Sequence, residues 1–307
     1  MSFLTSSFTQ FPAAGASAST ILYDGAVAAG GADYTTIQAG DDDLDTGAFS
    51  LLGKSGSYAG WTTSTANAYI DIEPGSTITS AITISGNDCT LVLGAGTDVQ
   101  AKITMSGTNT NLICRNGVSI DGILCSGLCH VTGGGWGTLS NGGTTVDACD
   151  VTSGSGQSIV EEISLQTTGA GGSSFKAYES GGTGDIQTAS LLKIIDSDNR
   201  GMNIGGKTTL IKGCVLMDAD DDAVSFQDNR GRVIATYVQQ CATDCFQVGV
   251  FGDNSVLDGN IARDGTSNSI ILDSGGDNCV VVSNRADGAI SDSATGTTSG
   301  DNNTTAF

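Results

Sequence analysis

Residues 208–290 read TTLIKGCVLMDADDDAVSFQDNR (208–230), GRVIATYVQQCATDCFQVGVFGD (231–253), NSVLDGNIARDGTSNSIILDSGGD (254–277) and NCVVVSNRADGAI (278–290). Laid in register, the apolar residues form columns: Leu210, Val233, Val256 and Val280, and beside them Ile211, Ile234, Leu257 and Val281. A further set pairs residues two apart, Val224 with Phe226, Phe246 with Val248 and Ile270 with Leu272. Two apolar residues separated by one are a strand pattern, because alternate side chains share a face. Each unit therefore holds at least two short strands.

A period of roughly 20 to 50 residues signals a solenoid, in which one unit cannot bury its apolar face until its neighbours stack on it. Short strands joined by Gly, Asn and Asp turns leave no room for the helix of leucine-rich or ankyrin repeats, which leaves a parallel β-helix. From Tyr34 to Ile290 the chain resembles the right-handed parallel β-helix proteins of the pectin-lyase-like superfamily. That resemblance implies an all-β, single-stranded solenoid and leaves function open, since the architecture carries lyases, hydrolases, esterases, phage tailspikes and plain structural proteins. The expected organisation is an N-terminal arm over 1–32, the β-helix over 33–290 in roughly 9 to 11 coils, and a C-terminal tail over 291–307.

Composition agrees. The 45 glycines are about twice average usage, and Gly supplies the positive φ of tight corners. The 2 prolines are few, as Pro would delete ladder donors. Only Glu73, Glu161, Glu162 and Glu179 among the 33 acidic residues are Glu. The rest are Asp, which bonds nearby backbone and tolerates left-handed geometry, so most are expected to be turn residues. A formal charge of −21 repels phosphates and anionic membranes, which argues against nucleic acid as a partner. No uncharged apolar run reaches the roughly 18 residues of a membrane span, so no membrane insertion is expected, and the N-terminus reads without a signal peptide. Nine cysteines without paired short spacings read as buried free thiols, suited to a reducing cytoplasm.

Along the chain, Phe3, Leu4, Phe8 and Phe11 are spaced anchors in an otherwise small and polar leader, which reads either as disordered or as an arm that docks on another subunit or a larger particle. The segment YTTIQAGDDD from Tyr34 resembles the short helix that closes the first coil of many β-helices, with Thr35 or Thr36 as its cap and Asp41, Asp42 and Asp43 on the solvated helix. Calcium is the one cofactor the pattern admits, at Asp41, Asp43 and Asp45, or pectate-lyase-like at Asp218, Asp220 and Asp222; an EF-hand fails there because Ala223 and Asn229 stand where Gly and Glu are needed. Between 133 and 190 the strings GGGWG, TTGAGGSS and ESGGTG predict lateral loops that carry Trp136, Phe175 and Tyr178 outward as glycan-binding aromatics.

The densest polar constellation is Asp218, Asp220, Asp221 and Asp222, followed by AVSF. It looks like the D-D-A-V-S element of polygalacturonase-type glycoside hydrolases, in which paired carboxylates act as general acid and base. Spacing places Asp198 one coil before Asp221 and Asp244 one coil after Asp222. Coils stack about 4.8 Å apart, so Asp198, Asp221, Asp222 and Asp244 form a candidate catalytic ladder with the separations of retaining or inverting pairs. The G-H-G and R-I-K elements of that family are absent, and the single histidine, His130, lies about 20 Å away along the axis as an outward strand residue. The cluster is therefore expected to be an acidic turn ladder rather than a complete glycosidase site. The function expected is a bacteriophage virion appendage, a tail spike or head decoration. Such a protein is assembled in the host cytoplasm as a homotrimer, contacts other virion structural proteins, and binds a host surface glycan. A polysaccharide hydrolase or lyase using the Asp ladder, and a bacterial surface adhesin, are the alternatives.

Overall fold

The structure, a computed structural model, describes residues 23–28, 32–44, 47–142, 147–152, 158–167, 172–177, 186–205, 208–226, 231–249 and 252–304. Three parallel sheets run side by side along a solenoid of about eleven turns. Sheet 1 has 13 strands, from Gly25–Val27 to Thr298–Gly300; sheet 2 has 11, from Ser57–Tyr58 to Arg285–Ala286; sheet 3 has 11, from Thr62–Thr63 to Ile290–Asp292. The chain visits them in the order 1, 2, 3 in each coil, and every strand pairs in parallel with the strands one coil before and after it.

The strands form where the two-residue alternation predicts them. In sheet 3, Met202, Val224, Phe246 and Ile270 stack in one inward column, and Ile204, Phe226, Val248 and Leu272 in the next. All eight are at most 2% exposed, and burying each such side chain contributes about 1.5–3 kcal/mol, which no single coil could collect without its neighbours. In sheet 1 the register differs from the fixed 23-residue alignment. Ile211 stacks on Val233, then on Leu257 and Val281, so Leu210 is not in the column of Val233 and Ile234 is not inward. Corner lengths change by a residue from coil to coil. A strand that slipped with them would turn its apolar face outward, so the corners absorb the change and the inward set is kept.

Two corners show how the chain turns. Between sheets 1 and 2 one residue per coil is left-handed: Glu162, Leu191, Gly213, Ala235, Gly259, Ser283 and Asp301, with φ from 50° to 64°. Non-glycine residues therefore occupy most of that corner. Between sheets 3 and 1, Gly86 and Gly107 are required for a different reason, since a Cβ there would land on the carbonyl oxygen of Thr65 and of Gly86 in the preceding coil. Close approach, more than positive φ, is what glycine provides at this corner.

The helix Ile37–Leu44 covers the first coil, and Thr36 Oγ1 accepts the Ala39 N–H at 3.0 Å as its cap. Asp42 and Asp43 face water as expected, whereas Asp41 is buried at 3% exposure. Both expected domain boundaries move. Gly25–Val27 pairs with Leu51–Gly53, so the solenoid begins upstream of residue 33. Ile290–Asp292 and Thr298–Gly300 extend sheets 3 and 1, so residues 291–300 are a further coil rather than a tail.

That last coil is held by polar packing. Behind the left-handed corner the inward column runs Ile163, Leu192, Cys214, Thr236, Asn260 and Asn284, and Asn302 follows. Asn260 Nδ2 donates to Val233 O and to Asn284 Oδ1, both at 3.0 Å; Asn284 Nδ2 donates to Leu257 O at 3.0 Å and to Asn302 Oδ1 at 3.2 Å. All nine cysteines are buried free thiols, in agreement with the sequence reading.

Candidate functional site

The Asp cluster spans the corner between the sheet 2 strand Val215–Ala219 and the sheet 3 strand Val224–Phe226. Pairing of Val224 with Phe246 sets Asp222 beside Asp244 and Asp221 beside Thr243, and pairing of Met202 with Val224 sets Arg200 beside Asp222. Thr243 Oγ1 lies 2.7 Å from Asp222 Oδ1 and 3.0 Å from Asp221 Oδ1, one proton serving either carboxylate. Arg200 Nε is ion-paired to Asp222 Oδ2 at 3.3 Å and to Asp221 Oδ2 at 3.4 Å. Asp222 Oδ1 also accepts the Asp244 N–H at 3.4 Å, and Asp244 Oδ1 accepts the N–H and Nδ2 of Asn268 at 2.8 and 2.9 Å. These carboxylates tie one coil to the next by capping its corner N–H groups.

The four aspartates do not share solvent equally. Asp222 is only 4% exposed, and burial pushes its carboxyl above the usual range, with Asp221 adding to the rise and Thr243 and Arg200 opposing it. Asp198 does not stand over Asp221. The Ser197–Ala219 bridge sets it level with Asp220, and its own N–H donates to Thr167 Oγ1 at 3.2 Å. Its carboxyl is also raised, first by desolvation and then by Asp196 and Asp220. Counting 23 residues missed this because the coil is a residue shorter there, which brings Arg200 rather than Asp198 to the pair.

The adjoining groove, of about 220 Å³, is lined by Asp218, Asp220, Gln240, Cys241, Asp264 and Thr266 among others, and by none of Asp221, Asp222 and Asp244. Asp218, Gln240 and Asp264 stack one per coil, all left-handed, with φ 63°, 58° and 55°. Among the described residues no three His, Cys, Asp or Glu side chains are grouped to hold a metal ion, and Asp45 of the first calcium expectation lies outside the described residues. His130 is an outward strand residue, with Nε2 at 3.0 Å from Glu161 Oε1 and 2.9 Å from Thr132 Oγ1.

A second site lies on the corner between sheets 1 and 2. Gly135–Gly137 form a single 3₁₀ turn that presents Trp136 at 48% exposure. Its Nε1 donates to Leu191 O at 2.7 Å, and its carbonyl accepts Ser164 Oγ at 2.8 Å, so the ring is fixed while its surface stays in water. Lys193 Nζ lies 6.0 Å from the ring centroid. A cavity of about 200 Å³ is lined by Gly135, Trp136, Glu162 and Leu191, and Leu191 is 45% exposed. Farther along the outer face of sheet 2, Ile195 and Met217 stand at 38% and 37% exposure. Trp136 is thus outward as the Gly-rich string predicts, and Phe175 is not. Phe175 is fully buried in sheet 3 between Cys149 and Met202, because Phe175–Ala177 is a ladder strand and not part of a loop. Tyr178 lies outside the described residues. Glu162, Leu191 and Lys193 escaped the sequence reading. Glu162 and Leu191 are one coil apart yet 29 residues apart in sequence, a spacing that hides the column.

No protein-family model matches the chain, and no curated protein sequence does. Among solved structures it is similar to the A-module of the Azotobacter vinelandii mannuronan C-5 epimerase AlgE6, at 14% identity and a TM-score of 0.35, over 86% of this chain and 94% of that one. At that score the likeness carries no argument about function.

Proposed function

We propose that this protein is a non-catalytic β-helix rod that binds glycan through Trp136 and the outer face of sheet 2. The observation that carries the reading is an indole held by its own N–H, half in water, beside a cavity with one carboxylate, Glu162, and the carbon surface of Leu191. A fixed aromatic face beside a few polar groups suits the apolar face and hydroxyl rim of a sugar ring, and its rigidity spares the entropy of ordering a mobile side chain. The capping role of Asp222 and Asp244 supports the non-catalytic half, since those carboxylates already bond the corner of the next coil. The setting we propose is a virion appendage, tail spike or head decoration, assembled as a homotrimer; a monomer mass of 30.8 kDa by light scattering at micromolar concentration would count against the trimer.

The test is binding of the purified protein to panels of capsular and lipopolysaccharide glycans. Trp136→Ala is expected to lower affinity at least about tenfold with the circular dichroism unchanged, as truncation of a central aromatic contact does; equal affinity would refute the site. One observation favours the depolymerase reading, a buried carboxyl raised above its usual range beside a second carboxylate. Oligosaccharide release that Asp222→Asn abolishes, with the fold intact, would establish it in place of ours.

A further inference from the structure

Cys241 closes the sheet 2 strand Tyr237–Cys241, and Cys245 immediately precedes the sheet 3 strand Phe246–Val248, so the segment CATDC crosses the corner and brings its two ends together. The sulfurs lie 2.6 Å apart. That is nearer than the ~3.5–4.0 Å at which non-bonded carbon atoms pack and close to the ~2.05 Å of a covalent S–S bond. The next coil leaves them room. Gly265 pairs with Cys241, and even a Cβ on it would stand 3.0 Å from Cys245 Sγ and 3.4 Å from Cys241 Sγ.

We propose that Cys241 and Cys245 are an oxidation site, a thiol pair that closes to an intramolecular disulfide when the protein meets a peroxide. The two thiols are placed unequally. Cys241 lines the open groove beside Asp218 and Asp264, whereas Cys245 is fully buried behind it. The groove therefore delivers peroxide to Cys241. Its thiolate attacks one peroxide oxygen; an S–O bond forms, the O–O bond breaks, and the departing hydroxide takes up a proton as water. The Cys245 sulfur then attacks the Cys241 sulfur; the S–S bond forms, the S–O bond breaks, and a second water leaves with the Cys245 proton. The dithiol loses two electrons, and the peroxide gains them. Asp244 and Asp287 lie near enough to help hold Cys245 protonated, along with burial and its sulfur neighbour, so closure is slow at neutral pH and accelerates as pH rises.

The experiment is hydrogen peroxide treatment of the whole purified protein, followed by alkylation under denaturing conditions, tryptic digestion and mass analysis. Cleavage after Arg232 and Arg263 isolates Cys241 and Cys245 in one peptide, while Cys125, Cys129 and Cys149 share another. The expected result is a fall from nine alkylatable thiols to seven, with the 233–263 peptide lighter by two hydrogens and unalkylated. Dithiothreitol restores both thiols. Cys245→Ser abolishes the loss, and Cys125→Ser leaves it intact. Nine thiols remaining after treatment, a loss confined to the Cys125 peptide, or a Cys241 oxidised to sulfinic acid with Cys245 still alkylatable would each overturn the proposal.

Discussion

Asn284→Ala tests whether the last coils are held by polar packing. The side chain is 2% exposed, and it makes four side-chain bonds: Nδ2 to Leu257 O and Asn302 Oδ1, and Oδ1 from the N–H and Nδ2 of Asn260. Truncation strands the Leu257 carbonyl and two donors of Asn260 inside the solenoid. A net hydrogen bond is worth about 1 kcal/mol and a buried group left unsatisfied costs about 1–3 kcal/mol, so the expected loss is about 3–5 kcal/mol. That is a large share of a typical ~5–15 kcal/mol stability. Because a solenoid is stabilised by nearest-neighbour interfaces, the loss should appear first at the C-terminal end. Urea unfolding followed by circular dichroism measures the total, and hydrogen exchange at Val280–Val282 locates it. Gln100→Ala, on the exposed face, is the control and should change stability by less than about 0.5 kcal/mol. A loss below about 1 kcal/mol for Asn284→Ala, or exchange unchanged at Val280–Val282, would refute the reasoning.

Two further outcomes follow from the corners. Gly107→Ala places a methyl on the Gly86 carbonyl oxygen and should cost at least about 2 kcal/mol in the same urea assay, whereas Ser106→Ala, its exposed neighbour, should stay within about 0.5 kcal/mol. For Asp222 the folded carboxyl is raised, so the folded state holds the proton more tightly than the unfolded chain. The stability tied to that proton is fully present below the unfolded pKa and is lost as pH rises through the folded one. Wild type should therefore gain stability relative to Asp222→Asn on going from pH 7 towards pH 4, measured as the difference in urea midpoints; a constant difference, or one of opposite sign, would refute the burial argument.

How much of this was legible in the sequence depends on the length scale. The strands of sheet 3 were readable because an inward pair two residues apart, such as Val224 and Phe226, recurs at nearly constant spacing, and alternation is a property of the backbone alone. The helix cap at Thr36 and the outward Trp136 were readable for the same local reason. Register was not. Corners gain or lose one residue from coil to coil, and only packing decides which neighbour meets which, so Val233 lies on Ile211 and Arg200 rather than Asp198 reaches the Asp221–Asp222 pair. Phe175 looked like a loop aromatic because glycine strings flank it, yet its strand is needed to continue the sheet 3 stack and is fully buried. The asparagine column needed the structure too. A repeated Asn in sequence has the same look as a turn residue, and only the closed solenoid shows Asn260 and Asn284 turned inward to bond one another and the carbonyls of the preceding coil. Backbone periodicity is written locally in the chain, while the meeting of side chains across coils is a property of three-dimensional closure, and both candidate sites lie across coils.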